Sequence, residues 1–221
     1  MNLKLELTRA FFLSLFSAII FGLTAFLVSG SQVAHFDGAI ISFIQRFESP
    51  ALTSVMKFFS WIGSGRIVTM ISLIALFVLY KAWKYRSELV LFVTVVAGSS
   101  ILNQLLKSLF HRARPSLHRL AEASGFSFPS GHSMEAVALY GILAFLLWRR
   151  IDHRFGRVFL IFISFFMIMG IGVSRIYLGV HYPSDVIGGY FASSFWLFAA
   201  IWFYQRYKER NFEKTQFEKT H

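Results

Sequence analysis

Three short groups of polar residues stand out in a chain that is otherwise rich in apolar side chains. Residues 107–115 begin with a lysine and end with Arg-Pro, and residues 129–132 read Pro-Ser-Gly-His. Residues 174–185 begin with Ser-Arg, continue to a histidine and end with an aspartate. Lysine and arginine bind anions, and histidine and aspartate take part in proton transfer.

The cations of these groups are Lys107, Arg114 and Arg175. Cations at a membrane edge repel one another and resist desolvation unless an anion compensates them. Guanidinium groups match phosphate oxygens in a forked geometry, and lysine adds a point charge. Ser130 and Gly131 precede an apolar segment, where amide groups of a helix N-terminus can point at an anion, and glycine allows close approach. The pattern indicates a site for a multiply charged phosphate.

Two histidines supply groups that react near neutral pH, as nucleophile or as general acid and base. Pro183 suits the first turn of a helix, so the last apolar segment is predicted to begin near it. Asp185 is then near enough to bond one ring nitrogen of His181, which would fix the tautomer and leave the other nitrogen available for attack. His132 is predicted to protonate the leaving oxygen and then to take a proton from water.

Each group also has an ordinary explanation when it is taken singly. Lys107 and Arg114 are also compatible with charges beside a membrane helix, and Pro-Ser-Gly with a turn and a helix cap at Ser130. His181 and Asp185 could form a structural pair at a helix start. From average residue usage, however, Pro-Ser-Gly-His is expected in roughly one in a thousand chains of this size. The three groups together therefore favour one shared site.

The composition places these groups in a membrane protein. Of the 221 residues, 56% are hydrophobic and 15% are charged, whereas soluble domains average about 25% charged residues. The absence of cysteine excludes disulfides, thiolate metal sites and cysteine nucleophiles. A helix needs about 20 apolar residues to cross a bilayer. We predict an all-α fold, a single domain of six transmembrane helices at about 10–28, 66–82, 89–106, 133–148, 158–174 and 186–204, with a tail at 205–221.

The segment between the first two spans has a different pattern. Residues 37–62 carry apolar side chains at helical spacing on both sides of Pro50. This pattern predicts two short amphipathic helices on the membrane surface, with a pair of buried half-helices as the alternative. The first span is longer than the apolar core of a signal peptide, about 7–15 residues, so we predict that it is retained.

The distribution of the 22 lysines and arginines predicts the orientation. The N-terminus, the loops at 81–88 and 149–157 and the C-terminal tail hold fourteen of them, and the other side holds eight. The richer side is predicted to be cytoplasmic, with both termini inside. The third and fifth connections of a six-helix chain share a side, so the three polar groups can meet on the outer face. The basic charge indicates a lipid bilayer, not nucleic acid, as the partner.

The three groups resemble the signature of the type-2 phosphatidic acid phosphatase superfamily, which reads Lys-x6-Arg-Pro, Pro-Ser-Gly-His and Ser-Arg-x5-His-x3-Asp. All three strings are complete here, and the resemblance covers residues from about 60 to 204. The chain is most similar to small bacterial membrane members, which act on phosphatidylglycerol phosphate or undecaprenyl pyrophosphate. The resemblance implies a lipid phosphate phosphatase that releases inorganic phosphate through a phosphohistidine intermediate. Phosphatidate is a further candidate substrate.

The resemblance also implies a role for each site residue. His181 would be the nucleophile, oriented by Asp185, and His132 would be the acid and base. The groups that would hold the phosphate are Lys107, Arg114, Ser130, Gly131 and Arg175. No metal, no cofactor and no obligate protein partner are expected.

Three alternatives remain open at this point. Vanadate-dependent haloperoxidases share the pocket pattern, although six membrane helices argue against that soluble class. A phosphate-lipid binding or transport protein is disfavoured by the intact histidines and aspartate, and a metal phosphatase by the lack of a carboxylate cluster. Glu135 has two explanations: it is an acid at the polar start of a helix, or it selects the headgroup of the lipid substrate. The sequence assigns no role to four neighbours of the first group, His111, Arg112, His118 and Arg119.

Overall fold

A computed structural model of the chain describes residues 3–82, 86–116 and 118–220, with the side chains of these except 3–7, 82 and 211–220. Lys84 of the predicted inner loop lies outside the described residues. The described residues form eight α-helices, which confirms the predicted all-α fold. The helices are α1 (Leu3–Ser29), α2 (Ala34–Gln45), α3 (Pro50–Ile62), α4 (Gly65–Ala82), α5 (Arg86–Phe110), α6 (Gly131–Trp148), α7 (Arg154–Tyr177) and α8 (Pro183–Thr220).

Five of the described helices, α1, α5, α6, α7 and α8, are each long and apolar enough to cross a membrane. Helix α4 meets this criterion together with α3, from which it is bent by 55°. The predicted number of six spans is therefore reached when α3 and α4 are counted together as one broken span. The two helices predicted around Pro50 are present, and their placement on the membrane surface stays a prediction.

Helix α8 begins at Pro183, as predicted, three residues before the predicted apolar span at 186–204. It differs from the prediction at its other end, because it continues without a break to Thr220. The described part of the predicted tail at 205–221 is therefore a continuation of this helix. These residues include no proline or glycine, and many are glutamine, lysine, glutamate and arginine, which favour a helix.

Helix α6 is the centre of the bundle and packs against α5, α7 and α8. Its side chains Leu139 and Ile142 are fully buried, together with Val95 of α5. The outer helices present large apolar residues outward, such as Phe26 of α1 and Phe162 of α7. A helix that is apolar all round faces lipid or is buried in a core. Because α6 lies at the centre of the bundle, polar groups can reach it only at its ends.

The start of α6 lies against α8 at a glycine. A methyl group added at Gly189 would lie 2.8 Å from the Ser130 carbonyl oxygen and 3.0 Å from Ser133 Cβ. Helix α8 therefore approaches the backbone just before α6 as closely as the absence of a side chain permits.

We predict that Gly189→Ala lowers the thermal unfolding midpoint in detergent by about 2–10 °C, because overpacking a tight contact costs about 1–3 kcal/mol. Gly22→Ala in α1 is the matched control, since an added methyl group there has no neighbour within 4 Å. We expect the control to keep or raise the midpoint. Equal midpoints for the two variants would contradict the close approach.

Candidate active site

The three polar groups meet at one end of the bundle. Residues 111–130 connect α5 to α6, and residues 178–182 connect α7 to α8. The two connections are joined by backbone hydrogen bonds: the Ser130 amide donates to the Asp185 carbonyl at 3.0 Å, and the Leu120 amide donates to the Leu178 carbonyl at 3.0 Å. The proximity predicted from the parity of the connections is therefore present in the structure.

His181 is buried at the centre of this region, with 1% of its surface exposed. Its Nε2 atom lies 3.0 Å from the Arg114 guanidinium, and its Nδ1 atom lies 3.4 Å from Asp185 Oδ2. Because a guanidinium can only donate, Nε2 accepts, and the proton of the neutral ring is assigned to Nδ1. Burial lowers the pKa of His181 to about 4, and nearby arginines reinforce this effect against Asp185. The ring is neutral at pH 7, with its lone pair on Nε2.

Asp185 is held by more partners than His181 alone. Its Oδ2 atom accepts from the Tyr182 amide at 2.8 Å and from the Ser127 hydroxyl, and its Oδ1 atom accepts from Arg112 at 2.6 Å. These contacts are shorter than the 3.4 Å to His181. The predicted contact between His181 and Asp185 is thus present. It is the longest of the Asp185 contacts, and the other groups orient the carboxylate.

Arg112 and Asp37 are two residues whose part in the site the sequence did not reveal. Arg112 donates to Asp185 and, at 2.8 Å, to Asp37 Oδ2, and its guanidinium lies 4.2 Å from the centre of the Tyr182 ring. Asp37 is 1% exposed and also accepts from the amide and the hydroxyl of Ser184 at 2.9 and 2.7 Å. The network ties α2 to the start of α8. The only signal for it was an acidic residue in the apolar segment that became α2.

Two of the three cations are fixed by uncharged partners. Arg114 donates to the carbonyls of Ser124, Gly125 and Val180 at 2.8–3.2 Å. Burial lowers the pKa of Arg114 below its ordinary value, and the charge of Asp185 opposes this. Arg175 is 6% exposed and donates to the Ser60 hydroxyl on α3, while its buried Nε atom has no partner among the described residues.

The three cations also form no ion pairs among the described residues. No carboxylate of the described residues forms an ion pair with Lys107, Arg114 or Arg175. Lys107 lies in the last turn of α5, near enough for the charges of Arg114 and Arg175 to act on it. A group of partly buried cations without counter-charges is expected to attract a multiply charged anion.

The start of α6 supplies the remaining predicted residues. The Ser130 amide is engaged by Asp185, so it does not point at an anion as expected, and Ser130 Oγ accepts from the Ser133 hydroxyl at 2.9 Å and from its amide. Ser130 is therefore the helix cap. The amides of Gly131 and His132 lie in the first turn, where helices leave amides without internal partners. His132 follows in the same turn, and its Cδ2 atom lies 3.4 Å from the position of a methyl group on Gly63.

Further residues of this region have other contacts. The carboxylate of Glu135 lies 3.5 Å from the position of a methyl group on Gly65, and its charge acts on Lys107. The other loop residues contact loop atoms: His118 pairs with Glu48 at 2.6 Å, Arg119 donates to the Pro115 carbonyl, and His111 packs edge-on against Phe126. No hydrogen bond or ion pair among the described residues joins these three side chains to His181 or to the three cations, although the charge of Arg119 acts on Arg114.

The fold and the site define the class of the protein. Residues 88–209 match the model of the PAP2 superfamily, more than half of the chain, so the chain belongs to this superfamily. It is a multi-pass membrane protein of a lipid phosphatase family. The predicted resemblance is thereby confirmed, and the roles predicted for individual residues stay predictions.

Similar proteins carry more specific names. Phosphatidylglycerophosphatase B of Bacillus subtilis is 30% identical over 176 residues, which are 78% of this chain and 85% of that protein. Undecaprenyl-diphosphatase of Sulfolobus acidocaldarius is 26% identical over 183 residues, 79% of this chain and 82% of that protein. The crystal structure of a transmembrane PAP2-type phosphatidylglycerolphosphate phosphatase from Bacillus subtilis aligns with a TM-score of 0.77 and 28% identity, covering 86% of this chain and 94% of that one.

We predict that Arg112→Gln lowers kcat on a lipid phosphate about 10- to 100-fold, because hydrogen bonds between charged groups contribute about 1.5–3 kcal/mol. KM should change much less, since the three cations remain in place. Arg119→Gln, in the same loop, is the control and should keep kcat within about threefold.

A second variant separates positioning from general instability. Removing Arg112 leaves the buried carboxylates of Asp37 and Asp185 without their shared cation. Adding Asp37→Asn to Arg112→Gln should therefore restore part of kcat. Equal losses of kcat in the single and double variants, with a parallel fall in the thermal midpoint, would contradict the positioning role.

Proposed function

We propose that this protein hydrolyses the terminal phosphate of phosphatidylglycerol phosphate and/or undecaprenyl pyrophosphate, with phosphatidate as a further candidate substrate, and releases inorganic phosphate. The observation that carries the proposal is the set of three cations without carboxylate partners around a neutral, buried imidazole. This arrangement suits a dianionic phosphate that is attacked by a nitrogen lone pair. The names of the relatives support the two substrate classes.

The first step forms a bond between His181 Nε2 and phosphorus and breaks the bond from phosphorus to the leaving oxygen. Arg114 donates to Nε2 in the structure, and in the proposed step a phosphate oxygen takes over this hydrogen bond. Lys107, Arg175 and the Gly131 amide stabilise the charge that spreads over the equatorial oxygens. The charge of the bound phosphate favours the protonated form of His132, which then gives its proton to the leaving oxygen.

The second step opens the phosphohistidine with water. His132, now neutral, takes a proton from the water as its oxygen attacks phosphorus, and the P–N bond breaks. Asp185 stabilises the imidazole of His181 in the tautomer that carries a proton on Nδ1. Both steps use only groups of the chain itself and water. We therefore propose metal-independent hydrolysis, and activity should persist in a chelator.

We predict that His181→Ala lowers phosphate release from a panel of the three lipids about 10³-fold or more, because the proposed phosphohistidine can no longer form. His132→Ala should be impaired differently. With 4-nitrophenyl phosphate, whose leaving group needs no proton, it should release a burst of about one equivalent of nitrophenolate and then turn over slowly. Purified protein in detergent and rapid mixing provide the measurement.

Contrary results point to the alternatives. Undiminished phosphate release by His181→Ala would show that the nucleophile is wrong. Lipid binding without release by the wild type would favour a binding or transport protein. Halide oxidation with vanadate and peroxide, without phosphatase activity, would favour the haloperoxidase reading.

We also propose that both termini are cytoplasmic and that the candidate site opens on the outer face. The chain contains no cysteine, so a single introduced cysteine reports its own side. Ser116 and Asp152 are both exposed and lie in loops at opposite ends of the bundle. A membrane-impermeant maleimide should label Ser116→Cys in intact cells and Asp152→Cys only after permeabilisation. The reverse pattern would invert the orientation.

A further inference from the structure

A cavity lies at the end of the bundle that is remote from the candidate site. Its volume is about 760 Å³, and residues of α1, α6, α7 and α8 line it. Helix α6 separates the two regions, because Gly131 at its start belongs to the site and Trp148, seventeen positions further along, lines the cavity. At about 1.5 Å per residue this is roughly 26 Å. The cavity is therefore distinct from the site described above.

The walls of this cavity are apolar and face the membrane. Leu13 of α1 and Ile161 of α7 line it and are 45% and 49% exposed. Both belong to helices that are apolar enough to cross a bilayer. Ala144 and Gly141 of α6 give the floor small side chains. The cavity is thus a groove between α1 and α7 that lipid chains can enter from the side.

Three arginines, Arg9, Arg149 and Arg157, line the same groove. None of them forms an ion pair with a carboxylate of the described residues. Arg157 is held in place, since it donates to the Ile151 carbonyl at 2.7 Å and lies 5.3 Å from the centre of a Trp148 ring. Basic pockets between membrane helices attract anionic headgroups.

Gln205 provides an independent sign of a ligand. It lines the groove, is 8% exposed, and its Oε1 atom has no hydrogen-bond partner among the described residues. Buried polar atoms are nearly always bonded. A hydroxyl group delivered beside the arginines would satisfy this oxygen.

We propose that the groove binds an anionic glycerophospholipid whose headgroup carries a hydroxyl. The phosphate pairs with the three arginines, the headgroup hydroxyl donates to Gln205, and an acyl chain lies against Leu13 and Ile161. A peptide or a free phosphate would not fill the apolar walls. This inference does not depend on the proposed enzymatic activity.

Native mass spectrometry of the purified full-length protein tests the proposal. With equal amounts of phosphatidylglycerol and phosphatidylcholine of the same acyl chains, the wild type should retain phosphatidylglycerol in about tenfold preference. Arg9→Gln/Arg149→Gln and, separately, Gln205→Glu should each lower this preference about fivefold or more. Arg154→Gln removes a nearby charge that does not line the groove, and it should keep the preference.

The location of the bound lipid is tested separately, because phosphatidylglycerol could also occupy the candidate active site as a product. A phosphatidylglycerol with a photoactivatable acyl chain should label peptides within residues 141–161. Labelling confined to residues 107–135, or an equal loss of preference in Arg154→Gln, would overturn the proposal. So would unchanged retention in both groove variants, provided that they remain monodisperse.

Discussion

The structure depends on a charge constraint at one end of the bundle. Arg112 is neutralised by two buried carboxylates, Asp37 and Asp185. Arg114 and Arg175 are bound by carbonyl and hydroxyl oxygens, which orient a cation without cancelling its charge. The carboxylates of Asp37 and Asp185 are therefore bound by Arg112, and the positive charges of Arg114 and Arg175 are not cancelled. A multiply charged anion is the ligand that such an arrangement stabilises most.

The same constraint determines the state of the imidazole. A buried histidine among cations is neutral, because both burial and like charges disfavour the protonated ring. Neutral imidazole has one lone pair, and the side on which it lies depends on the partner of the other nitrogen. Asp185 accepts on the Nδ1 side and Arg114 donates on the Nε2 side, so two charged groups specify one tautomer.

Much of the fold and the site could be predicted because the controlling information is local. Apolar runs located the spans, Pro183 located the start of α8, and the parity of the connections brought His181 near Arg114. Asp37 could not be predicted, because its role depends on how α2 packs against residues about 75 and 147 positions further along. The bend of 55° between α3 and α4, and the engagement of the Ser130 amide by Asp185, likewise depend on tertiary packing that no local pattern encodes.

The contact between Arg114 and His181 has a consequence for the order of events. In the structure the Nε2 lone pair accepts a hydrogen bond from Arg114, so it is not available to attack. A phosphate oxygen is a stronger acceptor for a guanidinium than a neutral imidazole is. In the proposed mechanism, arrival of the phosphate therefore transfers the hydrogen bond and exposes the lone pair at the same moment. Because the carbonyls of Ser124 and Val180 also bind Arg114, this proposed exchange needs no large movement of the chain.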